Sequence, residues 1–387
     1  VYLLEGNPGT GKTTAAIQFL LEGEAQAERG LYITMSESEV ELCDGAASHG
    51  WTMGEAITVF ELAPPESLLD AERQQSLLYS SDLELGETTR HIIEAVERVR
   101  PARIVLDSLS EIRLLAQGSL RYRRQILALK HSIAHGVVRL EELAPSYGAE
   151  RRRLRVMKYR GQAFRGGFHD VAIQTGGVRV FPRLVAAEHR RDFARTRQGS
   201  GLVELDAILG GGVERGSSTL VLGPAGAGKS LLALQFAAAA IARGERAALY
   251  AFDEELGLLF DRAASMGIDL AAMQARGALL VEQVDAAELS PGEFTHRVRE
   301  GVATKGIGTV VIDSLNGYRA AMPEERDLIL HLHELLQFLN RQGTSTFLPV
   351  AQHGLVGDMQ APVDVTYLAD TVLLLRYFEA LGRVRRA

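Results

Sequence analysis

The sequence predicts an α/β fold built as two tandem domains of one type, each a mainly parallel sheet flanked by helices. Three observations carry that expectation. A glycine-rich pattern, G-x-x-x-x-G-K-S/T, occurs twice, as Gly6-Asn7-Pro8-Gly9-Thr10-Gly11-Lys12-Thr13 and as Gly223-Pro224-Ala225-Gly226-Ala227-Gly228-Lys229-Ser230. Each copy follows a short apolar run, Val1 to Leu4 or Thr219 to Leu222, and opens a segment of helical apolar spacing. That is the strand-loop-helix setting of a phosphate loop. The second observation is a repeat: laying Lys12 on Lys229, an offset of 217 residues, also lays Gln18-Phe19 on Gln235-Phe236 and Ala46-Ala47-Ser48-His49-Gly50 on Ala263-Ala264-Ser265-Met266-Gly267 without a gap. Third, Arg103-Ile104-Val105-Leu106-Asp107-Ser108 and Thr309-Val310-Val311-Ile312-Asp313-Ser314 are continuous apolar runs ending in aspartate. A strand buried on both faces of a parallel sheet has that pattern.

A chain of 387 residues exceeds what one hydrophobic core usually holds. The repeat is far longer than a solenoid unit, so it denotes tandem domains. The polar, Arg-rich stretch from Glu188 to Gln198 is the expected linker, with domains at 1–187 and 199–387. The two copies are not equally complete. Gly201-Leu202-Val203-Glu204-Leu205-Asp206 through Gly210-Gly211-Gly212 precede the second loop, whereas the first copy begins directly at its strand. Asp107 to His135 is about half as long as Asp313 to Asp370, the stretch it matches. The expectation is that the first domain lacks an N-terminal segment and, after Lys130, a strand with much of a helix. The second lacks its C-terminal end.

In each loop, glycines allow positive φ and turn backbone N–H groups inward, and the following helix N-terminus reinforces the resulting anion nest. Lys12 and Lys229 are expected at the β and γ phosphates of ATP, and Thr13 and Ser230 at Mg²⁺ through their hydroxyls. The next strand runs Leu31-Tyr32-Ile33-Thr34-Met35-Ser36-Glu37 in one copy and Leu249-Tyr250-Ala251-Phe252-Asp253-Glu254 in the other, with Glu37 and Glu254 at the repeat offset. Carboxylates at the carboxyl end of a parallel strand face the nucleotide crevice. Glu37 and Glu254 there either polarise the water that attacks the γ phosphate, worth about 10²- to 10⁴-fold, or serve as acidic helix caps. Asp253 adds a second carboxylate in the later copy. Asp107 and Asp313 are the expected magnesium-side acids.

The first domain closes with Arg151-Arg152-Arg153-Leu154-Arg155-Val156-Met157-Lys158-Tyr159-Arg160-Gly161. Alternation puts Arg153, Arg155, Met157 and Tyr159 on one face and Leu154, Val156, Lys158 and Arg160 on the other. One reading is a solvated basic edge strand. The other sends Lys158 and Arg160 across a subunit boundary to a neighbour's nucleotide, where such a finger adds about 10³- to 10⁵-fold.

Net charge is −7 and the isoelectric point about 5.9, which disfavours a general nucleic-acid binder. One cysteine, Cys43, excludes an internal disulfide and a cysteine zinc site, and is expected as a small buried residue. No apolar run approaches membrane-spanning length and no signal segment is visible, so a cytoplasmic protein is expected.

Together the tandem phosphate loops, the Glu-bearing second strand, the two hhhhDS runs and Lys158-Tyr159-Arg160-Gly161 resemble the KaiC-type circadian clock ATPases of the RecA superfamily. The resemblance covers essentially the whole chain. It implies two RecA-like domains, a two-tiered homohexamer with ATP between subunits, slow hydrolysis, and autophosphorylation of serine or threonine in the second tier. Two departures are visible. Ser36-Glu37 supplies one carboxylate where the family often has two, and the adjacent Ser-Thr acceptor pair falls at Thr366-Tyr367, leaving Thr366 as the candidate acceptor. Two other classes use the same loops. A RecA-like DNA motor would take Arg151 to Arg155 as its phosphate-binding edge, against an acidic balance and only 6% aromatics for base stacking. An ATP-gated signalling scaffold would pass its conformational state to a protein partner.

Overall fold

A computed structural model describes residues 2–62, 90–108, 136–144, 148–320, 325–352, 366–380 and 383–386. The chain divides into two compact units, Val1–Ala144 with Glu150–Val180, and Pro145–Ala149 with Phe181–Ala387.

In the first unit, β1 (Tyr2–Glu5) leads through the first glycine loop into α1 (Lys12–Ala25), β2 (Gly30–Thr34), α2 (Glu39–Ser48), β3 (Ile57–Glu61) and β4 (Arg103–Asp107). Then follow β5 (Gly136–Leu143), β6 (Arg151–Tyr159), β7 (Phe168–Gln174) and β8 (Gly177–Phe181). β2 lies between β3 and β4, parallel to both. Its five residues are all buried because helices cover both faces: Tyr32 packs with Ile17 and Leu20 of α1 and Leu42 of α2, while Leu31 and Ile33 pack with Ile92 and Ala95. This is the alternation of a strand sandwiched between two apolar layers. β1 pairs in parallel with β5, which continues antiparallel to β6 and on to β7.

The second unit contains β9 (Arg197–Gln198), α3 (Val203–Ile208), β10 (Val213–Glu214), β11 (Ser218–Gly223), α4 (Lys229–Ala242), β12 (Arg246–Ala251), α5 (Leu256–Ser265), α6 (Leu270–Ala275), β13 (Leu279–Gln283) and α7 (Pro291–Lys305). It continues with β14 (Ile307–Asp313), α8 (Leu315–Ala320), α9 (Glu325–Gln342), β15 (Ser345–Ala351), β16 (Thr371–Leu374), β17 (Tyr377–Ala380) and β18 (Arg383–Arg386). Six strands form one sheet in the order β13-β12-β14-β15-β11-β16, every pairing parallel. Ala248, Tyr250, Val310 and Ile312 enter the core on one face, and Ala247, Leu249 and Val311 the core on the other.

The repeat holds at the level of topology, since β13-β12-β14 matches β3-β2-β4. β15 then joins β14 to β11. Among the described residues of the first unit nothing stands in the place of β15, so its parallel strands form two separate sheets. That corrects one expectation. β14 is interior and buried on both faces, whereas among the described residues β4 pairs on one side only, with β2, and Ile104 is 45% exposed.

Three further expectations change. The closing strand β6 is not an edge, because β5 and β7 flank it. Its alternation also breaks: the register slips so that Val138 faces Val156 and Val137 faces Lys158, leaving Met157 as the extra residue of a β-bulge. Cys43 is exposed, because Leu42 and Ala46 take the core-facing positions of α2. The stretch expected as a linker packs on the second unit: the His189 ring meets Phe338 edge-on at 5.4 Å, and Arg191 N–H donates to the Arg341 carbonyl at 3.0 Å. Its arginines mask these anchors in the sequence. Among the described residues no helix is long and apolar enough to cross a membrane.

Candidate functional site

Both glycine loops sit where a parallel strand hands over to a helix. Gly9 and Gly11 have φ of 82° and 87°, and Gly226 and Gly228 have 73° and 98°. In this left-handed region a side chain is disfavoured and glycine is not. Gly6 meets a second constraint, since a Cβ there would lie 2.6 Å from the Leu140 carbonyl oxygen of the neighbouring strand. The equivalent Gly223 faces the Leu375 carbonyl at the same 2.6 Å. Each loop is therefore seated against backbone, and its first glycine cannot be enlarged without moving a strand.

The lysines behave alike. Lys12 Nζ donates to the Asn7 carbonyl at 2.7 Å and Lys229 Nζ to the Pro224 carbonyl at 2.7 Å, so each is folded over its own loop. Lys229 is only 9% exposed, and burial lowers its pKa, partly offset by Asp313. A buried ammonium of this kind is better satisfied by phosphate oxygens than by one carbonyl.

Beside each lysine stands a hydroxyl paired with an aspartate. Thr13 Oγ1 donates to Asp107 Oδ2 at 3.3 Å. In the second site the Ser230 hydroxyl hydrogen-bonds Asp313, whose carboxyl is held above the usual carboxylate range. Burial is the main cause, with Glu254 and Asp253 adding to it and Ser230 and Arg262 opposing it. Hydroxyl plus carboxylate is a hard-oxygen donor pair suited to Mg²⁺, which takes few protein ligands and completes its shell with water and phosphate. Among the described residues no group of three or more His, Cys, Asp or Glu side chains is arranged to hold a metal ion by itself.

The acids after the second strand differ between the sites. Glu37 N–H donates to Thr34 Oγ1 at 3.0 Å, and the Thr34 hydroxyl donates to the Glu37 carbonyl at 2.8 Å, fixing the backbone of the turn that carries the glutamate. Burial first, then Asp107 and Glu41, raises its pKa. Asp253 accepts from the Ser314 hydroxyl, and Glu254 Oε2 lies 2.6 Å from Arg262 Nη2. Neither glutamate is a helix cap. The caps are the next residues: Ser38, in a capping box with Glu41, and Glu255, which accepts from the N–H groups of Gly257 and Leu258 at 2.8 and 2.9 Å. Asp107 and Asp313 each precede a cis peptide bond, and their carbonyls accept from Met35 N–H and Phe252 N–H, tying the two acid-bearing strands together in both units.

Lys158 and Arg160 are exposed, and their side chains make no hydrogen bond or ion pair with any described residue. The arginines before them are engaged. Arg152 lies 3.0 Å from Glu142 and donates through Nε to the Gly9 carbonyl at 3.3 Å; Arg153 lies 2.8 Å from Glu141 and over the Phe168 ring at 3.7 Å. Arg152 and Arg153 are thereby committed to partners within their own unit, while Arg155 remains exposed. Thr366 opens a short 3₁₀ turn ahead of β16.

Sequence reasoning missed four contacts: Arg152 on the first loop, Arg262 on Glu254, the Tyr377 hydroxyl on the Ala225 carbonyl at 3.4 Å, and the Tyr32 hydroxyl on Asp107 Oδ2 at 2.6 Å. Burial and Asp107 both raise the Tyr32 pKa, so it stays a donor. The repeat carried a signal for two of them, since Tyr32 aligns with Leu249 and Arg262 with Gly45.

Parallel sheets, paired phosphate loops and strand-end acids define a tandem P-loop nucleotide-hydrolysing protein. Comparison with known proteins narrows the class. The family model described as "ATPase: KaiC" matches residues 1–135 and 199–387, and the chain belongs to this family of ATPases. It is 26% identical over 416 residues to the circadian clock oscillator protein KaiC of Acaryochloris marina, covering 100% of this chain and 78% of that protein. It is 27% identical over 418 residues to the protein of that name from Synechococcus elongatus, covering 100% and 79%. To the circadian clock protein KaiC3 of Synechocystis it is 27% identical over 420 residues, covering 99% and 81%. Aligned lengths of 416 and more exceed the 387 residues of the chain, so these relatives carry segments that it lacks.

Proposed function

We propose that each domain binds one ATP with Mg²⁺ and hydrolyses it, and that the second domain also transfers phosphate to Thr366 of an adjacent copy in a homohexamer. The observation that carries the nucleotide reading is the repeated assembly of loop lysine, hydroxyl-aspartate pair and strand-end glutamate on both sheets. Thr13 with Asp107, and Ser230 with Asp313, would hold Mg²⁺, which supplies charge neutralisation on the phosphates when bound. The loop N–H groups and Lys12 or Lys229 bind and orient the phosphates. Glu37 and Glu254 accept a proton from, and so orient, the attacking water. The side chains of Lys158 and Arg160, which have no partner among the described residues, are available to a neighbouring subunit's nucleotide.

Topology supports transfer between subunits. β16 runs parallel to β11 with Thr371 opposite Thr219, whereas the second loop leaves the far end of β11 at Gly223. The start of β16 thus lies about 13 Å along the strand direction from the second loop, and Thr366 precedes that end of β16. In the transfer, the Thr366 oxygen bonds the γ phosphorus as the bridging bond to ADP breaks, and Asp253 or Glu254 takes the hydroxyl proton. The relatives' clock roles motivate assigning the chain to circadian or other signalling through protein partners.

Incubation with γ-labelled ATP, with and without single-stranded DNA, tests the reading directly. The expected result is DNA-independent phosphate release plus label on the chain that Thr366→Ala removes. Turnover that requires DNA would favour the motor, and absence of turnover the scaffold. Label undiminished in Thr366→Ala would overturn the acceptor.

A further inference from the structure

The two sites differ by a charge pair that the repeat does not share. At the repeat offset Ser36 stands where the second domain has Asp253, and Gly45 where it has Arg262. The second site therefore gains one acid and one base together. Arg262, on the second turn of α5, places Nη2 2.6 Å from Glu254 Oε2, with the two side chains 43% and 28% exposed. Its charge is also felt at the partly buried Asp313, so it stands within the site's field and not at a remote rim. In the first site Glu37 has no ion-pair partner among the described residues, and the first turn of α2 offers only Glu39 and Glu41.

We infer that Arg262 is a positioning residue that restrains Glu254 and slows hydrolysis at the second site relative to the first; this rests on the reading that Glu254 acts on the attacking water. A carboxylate gripped by a guanidinium has an oxygen and much of its charge committed, so it draws a water proton less strongly. Turning it toward the water means breaking the pair, and a partly exposed pair of this kind biases an equilibrium by about two- to fivefold. Arg262 has no contact with the phosphate loop, so its effect falls on turnover and not on ATP affinity.

The test uses the full chain in two backgrounds. Glu37→Gln silences the first site, and there Arg262→Ala should raise second-site kcat about two- to fivefold with KM for ATP unchanged, while Arg262→Lys returns kcat toward the parent. In the reciprocal background, Glu254→Gln, the substitution Gly45→Arg should lower first-site kcat by a similar factor. Gly45 tolerates the change because nothing lies within 4 Å of an added Cβ and its φ is not positive. If combining Glu37→Gln with Glu254→Gln left turnover intact, the parent reading of the glutamates would fail. If that combination were inactive but Arg262→Ala left second-site kcat at or below its background, the role of Arg262 alone would be overturned. A rise in KM in place of kcat would overturn it as well.

Discussion

Lys229 is buried within the field of the partly buried Asp313, and each carries its charge at a cost that nucleotide and cation would offset. Replacing Lys229 with Ala should abolish nucleotide binding at the second loop and leave the first loop loaded; equilibrium binding would then count one site per chain, and an undiminished count would contradict the assignment. Asp313 yields a pH prediction. A carboxyl whose pKa is raised by folding contributes most to stability below the ordinary carboxylate range, and that contribution is lost as pH rises through the raised value. Nucleotide-free Asp313→Asn protein should therefore melt above the parent at neutral pH, by about 2–4 °C for each kcal/mol recovered, with the gap closing toward pH 4. In Mg²⁺ and ATP the order should reverse, because the substituted protein loses the ligand's stabilisation. Melting curves at two pH values, with and without ligand, read both signs.

At the scale of elements, the glutamates proposed to act on water depend on what starts the following helix. Ser38 and Glu41 form a capping box directly after Glu37, and Glu255 caps α5 directly after Glu254. Ser38→Ala should cost about 1 kcal/mol and reduce first-site kcat by loosening the turn that presents Glu37, detectable as a lower denaturant midpoint together with slower turnover. Strand contact imposes a stricter requirement on the loops. Gly6→Ala would drive a methyl group into the Leu140 carbonyl, and the expected result is loss of ATP binding at the first loop while the second is unaffected. Fluorescent-nucleotide titration of the variant checks this, and two-site binding would contradict it.

For the whole molecule, the proposal that Lys158 and Arg160 reach a neighbour's nucleotide makes turnover a property of the assembly. ATP bridging two copies favours the assembled state by mass action. Light scattering in saturating ATP should find a hexamer, and specific activity should climb with protein concentration near the assembly threshold. Arg160→Ala should lower first-site turnover by up to about 10³-fold without preventing nucleotide binding. A monomer in saturating ATP, or normal turnover in Arg160→Ala, would refute the arrangement.

The sequence by itself determined the features that depend on local rules. A glycine loop between an apolar run and a helix, and an apolar strand ending in acid, are set by backbone sterics and burial within about a dozen residues, and the repeat doubled each signal. Hence the loops, Lys12, Lys229, the strand-end position of Glu37 and Glu254, and the all-parallel order around β12 and β14 were legible. Tertiary structure decided what depends on partners distant in sequence. It made β6 an interior strand with a bulge at Met157, paired Arg152 and Arg153 with glutamates of β5, and laid the Arg-rich stretch at 188–198 on the second unit. It also turned Cys43 outward and brought Arg262 to Glu254 in one site but, among the described residues, nothing equivalent to Glu37 in the other. Charge pairing and burial act through space, and a pattern of residue types along the chain records which groups need partners without recording which partners they find.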